Sequence, residues 1–358
     1  MDNETISYTS GQRIDYIDAL KGFLILSVVM CHVAGFCIGI QDDIPSFQPI
    51  LFEFRNPPFF FISGMFAYKT GTAWSGSYCC RLIKRKFVTI AWPTILFLAA
   101  ILYVHPSFHG RTFLHNSIKD LWFHWFTLSL FLYFVFYSII GLLFSYLKNL
   151  LFKSLLLLTC GTIFYLLFSV QSIYNNLPIV DDIKVILGME YWGFFFFFIL
   201  GVLARMHYTH FVNILDSSIF IAICIFIFII FNLFSYPLQS NHFNLFRITT
   251  YVTGIILVLK FFKKYPPKGV LNKIMTFTGK RTLDIYLIHY FFLPLALYEN
   301  TSIFRDSPMP IIEFALTLSI SLAIIAMSLL VSYIIRLSPI SAHYIFGHNK
   351  KQHHNIPT

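Results

Sequence analysis

Two histidines, a tyrosine and a lysine in apolar surroundings are the residues of this chain most able to do chemistry. His32 closes the stretch KGFLILSVVMCH that Lys21 opens, and His289 follows Tyr286 by three residues in a later apolar run. At about 100° per residue, the step from Lys21 to His32 leaves about 20° on a helical wheel, and the step from Asp18 leaves about 40° the other way. Asp18, Lys21 and His32 therefore share one face. A neutral imidazole is the usual general base near pH 7, and an ionisable residue within the bilayer usually faces a cavity and carries function. We therefore take His32 as the candidate base. For Lys21 the bland reading is a side chain that snorkels to the headgroups. Tyr286 and His289 share a helix face and could orient a reacting group or hold His32. The competing reading for them is plain interhelical hydrogen bonding.

Other residues offer binding rather than proton transfer. Arg81, Lys84, Arg85 and Lys86 form a basic cluster suited to phosphates, or to anchoring the chain at the membrane surface. Glu53, Arg55 and Asn56 stand beside Pro57 and Pro58, a polar group suited to a substrate pocket. Ser63-Gly64 suits close helix packing. Trp125 and Trp192 suit either the interfacial belt or stacking on a sugar. His105, His109, His115 and His124 lie in one expected loop, and neither they nor the six cysteines show a metal-ligand spacing. No metal site is expected. His353 and His354 read as tail residues.

These side chains need elements to hold them, and composition says which. The chain is 57% hydrophobic and 12% charged, with 43 phenylalanines, whereas an ordinary soluble domain is about a quarter charged. So much apolar surface demands a bilayer. With about 20 apolar residues per span, roughly ten helices are expected, near 17–40, 50–69, 86–104, 125–147, 151–170, 190–207, 215–236, 245–262, 282–298 and 312–336. The fold class is thus an all-α, polytopic membrane protein, one domain over 1–358 with a helical core near 13–340. The polar first dozen residues and the long run from Ile17 predict no cleavable leader. Placing the amino terminus in the cytoplasm puts most lysines and arginines there, including the groups at 69–86 and 260–281. Both termini are then cytoplasmic. This asymmetry accounts for most of the net charge of +10 and removes the case for nucleic acid. On that helix, His32 lies about 22 Å from Ile17, past the midplane.

Five stretches in order carry a resemblance. Arg13-Ile-Asp-Tyr-Ile-Asp18-Ala-Leu-Lys21-Gly22 with His32, Asn56-Pro-Pro-Phe-Phe-Phe-Ile-Ser63-Gly64, Lys84-Arg85 with Trp92-Pro93, Trp125-Phe126-Thr-Leu-Ser-Leu-Phe, and Gly279-Lys-Arg-Thr-Leu283-Asp-Ile-Tyr286-Leu-Ile-His289 resemble motifs of acyltransferase family 3. The family often has arginine where this chain has Lys21, and a second arginine where it has Val88. The resemblance implies an integral membrane O-acyltransferase in a bacterial inner membrane. It implies acetyl-CoA as donor, with no permanently bound cofactor, and a surface glycan or lipid-linked sugar as acceptor. It supports catalytic roles for His32, Asp18, Tyr286 and His289 and donor contacts at Lys21, Arg81, Lys84 and Arg85. Acceptor contacts fall to Glu53, Arg55, Asn56, Ser63, Trp125 and Trp192. A flippase for a lipid-linked sugar is the alternative, although the sequence shows no internal repeat of the kind common in transporters.

Overall fold

The structure is a computed structural model that describes residues 15–40, 46–47, 51, 54–104, 124–179, 181–235, 245–301 and 309–347. Among these residues every regular element is helical. Six helices are long and apolar enough to cross a bilayer: Tyr16–Ile38, Gly76–Val104, Trp125–Leu143, Leu150–Ser169, Met189–Met206 and Pro310–Leu337. Tyr208–Asp216 and Ser218–Asn232, bent by 75°, make a seventh if they count as one span. The chain is therefore an all-helical, multi-pass membrane protein.

The expected count of ten is not reached by length and apolarity alone. In the second expected segment the described span-like helix is α2 (Pro57–Ala67), of 11 residues. Prolines are tolerated at a helix start but not inside, and Pro57 and Pro58 fix that start. The eighth yields α10 (Leu245–Lys264), which carries Arg247, Lys260, Lys263 and Lys264. The ninth stops early: α12 (Thr282–Ile288) passes into a 3₁₀ turn at His289–Phe292, and Leu293 is extended before Pro294. Proline restricts the residue before it in just this way.

The innermost element is α1 (Asp15–His32), prolonged by a π-helical turn over Val33–Ile38 and closed by Gly39 at φ 76°. Its span is 67% buried, against 17% for α6 (Leu150–Ser169), which faces outward. Two glycine pairs set the packing. Gly22 of α1 rests on the Met275 carbonyl of α11 (Gly269–Gly279), and Gly279 rests on the Asp18 carbonyl. Gly64 of α2 and Gly201 of α7 (Phe195–Met206) contact the Phe198 and Phe61 carbonyls in the same reciprocal way. No Cβ fits at any of the four. Small residues of this kind let membrane helices approach closely, where lipid leaves no hydrophobic drive between them.

The run Phe194–Phe198 is buried at every position. A helix apolar on all sides belongs inside, and here it meets Phe60 of α2 and Tyr133 of α5 (Trp125–Leu143). Further along, α3 (Gly76–Lys86) continues through a π turn at Phe87–Ala91 into α4 (Trp92–Val104). The pair α8 (Tyr208–Asp216) and α9 (Ser218–Ser235) forms the sharp bend, with Asp216 tied to Lys260 and Lys263 of α10. Last come α13 (Pro310–Leu337) and α14 (Pro339–Phe346). Arg336 of α13 donates from Nε and Nη2 to the buried Asp284 carboxylate of α12, at 2.8–2.9 Å. Ser332 donates to the same group. This clamp fixes the short helix that carries Tyr286 and His289.

Candidate active site

His32 is the last residue of α1, where the α-helical ladder gives way to the π turn. Such turns are rare and concentrate at functional sites. His32 Nδ1 lies 2.8 Å from Nε2 of His289, and the two rings are nearly parallel with centroids 5.1 Å apart. His289 is fully buried at the junction of α12 and its 3₁₀ turn. Its Nδ1 stands 2.8 Å from the Tyr286 carbonyl and 3.1 Å from that of Ile285.

This network assigns the tautomers. A carbonyl oxygen can only accept, so His289 donates from Nδ1–H. In the neutral ring, Nε2 then holds a lone pair. His32 must donate to it from Nδ1–H, which leaves Nε2 of His32 as the basic nitrogen. Two backbone carbonyls thereby decide which atom of His32 can take a proton.

Tyr290 packs on both rings, with centroids 4.0 Å from His289 and 5.1 Å from His32. Tyr286 is 5.9 Å from His289 by the same measure and interacts with Tyr290 through its hydroxyl. His124, buried at the start of α5, lies edge-on to Tyr290 at 5.0 Å and to Tyr286 at 5.9 Å. The Arg55 side chain bonds Cys31 and lies in electrostatic range of His32, Tyr286 and Tyr290. One cationic group, two phenols and three imidazoles are thus gathered in the interior. Among the described residues, no group of three His, Cys, Asp or Glu could hold a metal ion.

A cavity of about 270 Å³ meets this cluster at Tyr286, with the two histidines outside its lining. Lys21 and Lys86 line it, Asn56, Ser63 and Tyr286 add polar atoms, and Ile25, Val28, Phe59, Phe126, Leu130 and Phe134 supply apolar wall. Lys21 and Val28 are about 10 Å apart along α1, and His32 lies one turn beyond Val28. The cavity therefore runs beside α1 from a charged end toward the histidine pair. Lys86 Nζ sits 3.8 Å from the Phe134 ring centroid, a cation–π contact.

The remaining residues singled out from the sequence divide plainly. Asp18 is not brought to His32. It pairs with Lys21 at 2.8 Å, and 14 residues of helix place it about 21 Å from the histidine along the axis. The wheel angle agreed, but the depth does not. Arg81, Lys84 and Arg85 are exposed on α3, and Lys86 is the member of that cluster that turns into the cavity. Arg55 reaches the histidine cluster. Trp125 stacks on Tyr191 with centroids 4.4 Å apart. Trp192 donates to the Leu187 carbonyl and packs on Phe136 and Phe168, away from the cavity. Glu53 lies outside the described residues, as do His105, His109, His115, His353 and His354. Sequence reasoning missed Tyr290 and the placement of His124 against it. Adjacency to His289 was a signal for the former. None existed for the latter, which a segment distant in sequence delivers to the cluster.

A family model described as an acyltransferase domain matches residues 14–337 of the chain. The chain belongs to acyltransferase family 3. No curated protein and no solved structure matches it in the corresponding comparisons. As a multi-pass acyltransferase, the protein needs a base, a place for a donor and a place for an acceptor. The histidine pair and the cavity that Lys21 and Lys86 line are where its interior polar groups gather.

Proposed function

We propose that this membrane acyltransferase transfers an acetyl group from cytoplasmic acetyl-CoA to a hydroxyl of a cell-surface or lipid-linked carbohydrate. The observation that carries the reading is the tautomer the network gives His32, one helical turn beyond Val28 in a cavity that two lysines also line. In this reading α2, α10 and the α12 segment also lie within the bilayer of a bacterial inner membrane, giving about ten crossings and two cytoplasmic ends. Lysine and arginine placement supports that orientation.

The acetyl thioester enters from the lysine end, with its slender arm along the apolar wall of the cavity. Lys21 and Lys86 hold its phosphates. The acceptor hydroxyl approaches Nε2 of His32, which takes the proton as the oxygen attacks the thioester carbonyl. A positive imidazolium is then supported by the hydrogen bond from Nδ1–H to His289. The oxyanion draws on the Arg55 guanidinium and the Tyr286 and Tyr290 hydroxyls. When the tetrahedral species collapses, the carbon–sulfur bond breaks and the sulfur receives the proton from Nε2–H. The products are the acetyl ester and the free thiol of CoA, and His32 returns to its starting tautomer.

The test is acetyl-CoA binding and acetyl transfer by the detergent-purified protein, for wild type and His32→Ala. Removal of a positioned base costs about 10²–10⁴-fold in rate, so the variant is expected to bind donor while transfer falls at least 10²-fold. Full turnover by His32→Ala overturns the base assignment. A wild type that does not bind acetyl-CoA overturns the donor.

A further inference from the structure

A second, smaller cavity of about 110 Å³ continues the line of the first. The link is α5. Phe126, Leu130 and Phe134 of this helix line the first cavity, and Tyr137, Gly141 and Phe144 line the second. Their steps of four, four, three, four and three residues keep all six on one helical face. The two cavities therefore lie in succession along one face of α5, and the second lies beyond Phe134 and Lys86 of the first. Lys69, which lines the second, is within electrostatic range of Lys86, which lines the first.

The second cavity is built differently from the first. Its walls include the Trp74, Tyr137 and Tyr68 rings together with Lys69 and Lys153, and no carboxylate. The Trp74 ring packs against Gly141, where a Cβ would collide with it, and meets the Tyr137 ring edge-on at 5.2 Å. A tight turn holds the loop: Thr72 donates from both N–H and Oγ1 to the Lys69 carbonyl, with Gly71 at φ 73°. Aromatic faces beside two cations, with no anion among them, suit a planar base that carries phosphate.

We propose that this cavity is the nucleotide subsite, taking the adenosine 3′,5′-bisphosphate end of the acyl donor. The inference rests on the reading of acetyl-CoA as donor. Adenine stacks against Trp74, Lys69 and Lys153 meet the 3′-phosphate and the adenosine-proximal 5′-phosphate, and the outer phosphate of the diphosphate reaches Lys21 and Lys86 before the arm enters the first cavity toward His32. The donor thus spans both cavities in one extended pose.

Isothermal titration of the full-length protein in detergent with adenosine 3′,5′-bisphosphate, and separately with acetyl-CoA, tests this. Wild type is expected to bind both in competition. The double variant Lys69→Gln/Lys153→Gln, whose side chains make no hydrogen bond or ion pair among the described residues, should weaken both by tenfold or more, with the loss in KM for acetyl-CoA rather than in kcat. Trp74→Phe should retain most binding and Trp74→Leu should lose it. If wild type binds acetyl-CoA and all variants bind it equally well, the subsite is wrong and the donor reading stands. If wild type binds neither compound, the donor reading falls and the subsite falls with it.

Discussion

His289 acts on the reaction through another ring, which makes it a positioning residue with a distinctive signature. Its required property is a lone pair facing His32 Nδ1–H. Glutamine can offer a carbonyl oxygen there and leucine cannot. We expect His289→Leu to lower kcat about 10²-fold or more, with the KM for donor little changed, and His289→Gln to recover part of that loss. Steady-state kinetics check this, and equal losses in both variants would remove the tautomer argument. A second prediction separates neighbours in the basic cluster. Lys86 lines the cavity while Arg85 is exposed. Lys86→Gln should therefore raise the KM for acetyl-CoA severalfold more than Arg85→Gln does. Lys86 did not stand out in the sequence, because Arg81, Lys84 and Arg85 beside it are equally basic and only the fold shows which of them turns inward. Asp18 shares the face of His32 but not its depth. The wheel was right, but it carries no axial distance.

The elements that matter most are the short ones. α12 spans only Thr282–Ile288, too short to hold its own orientation, and it depends on the Asp284–Arg336 clamp. Removing one partner of a buried ion pair costs about 3–5 kcal/mol, because the other is left unpaired. Asp284→Ala should lower the thermal midpoint of the detergent-solubilised protein and reduce transfer, while Arg336→Lys, which keeps charge but loses the fork, should do less. A scanning thermal assay with parallel activity measurements reads both. The glycine pairs were partly legible. Ser63-Gly64 was expected to allow close packing, and Gly64 does so against Phe198. Its counterpart Gly201 gave no sign, since reciprocity is a property of two helices and not of one. Substitution of Gly64 or Gly201 by valine should abolish accumulation of folded protein in membranes, read by detergent-extracted yield.

At the scale of the molecule, composition alone was enough to place the chain in a bilayer, and the all-helical fold follows from the need to satisfy backbone groups there. The number of long spans was less legible. Windows of apolar residues run straight across prolines at 57, 58 and 294 and across the bend after Asp216, whereas hydrogen-bonded helices do not. The histidine pair was readable because ionisable residues in apolar segments are few. His124 was not, because only the folded chain brings it beside Tyr290. The charge asymmetry makes a topological prediction: a reporter fused after Thr358 should read cytoplasmic in intact cells, and an extracytoplasmic reading would reverse the approach of the donor.

Acetyl transfer in cells tests the central claim most directly. Cells lacking the gene are complemented with wild type or with His32→Ala at matched membrane abundance and fed isotope-labelled acetate, and their surface glycans are analysed by mass spectrometry. The account predicts labelled O-acetyl groups with wild type and none above background with His32→Ala. Equal labelling from the two would contradict it.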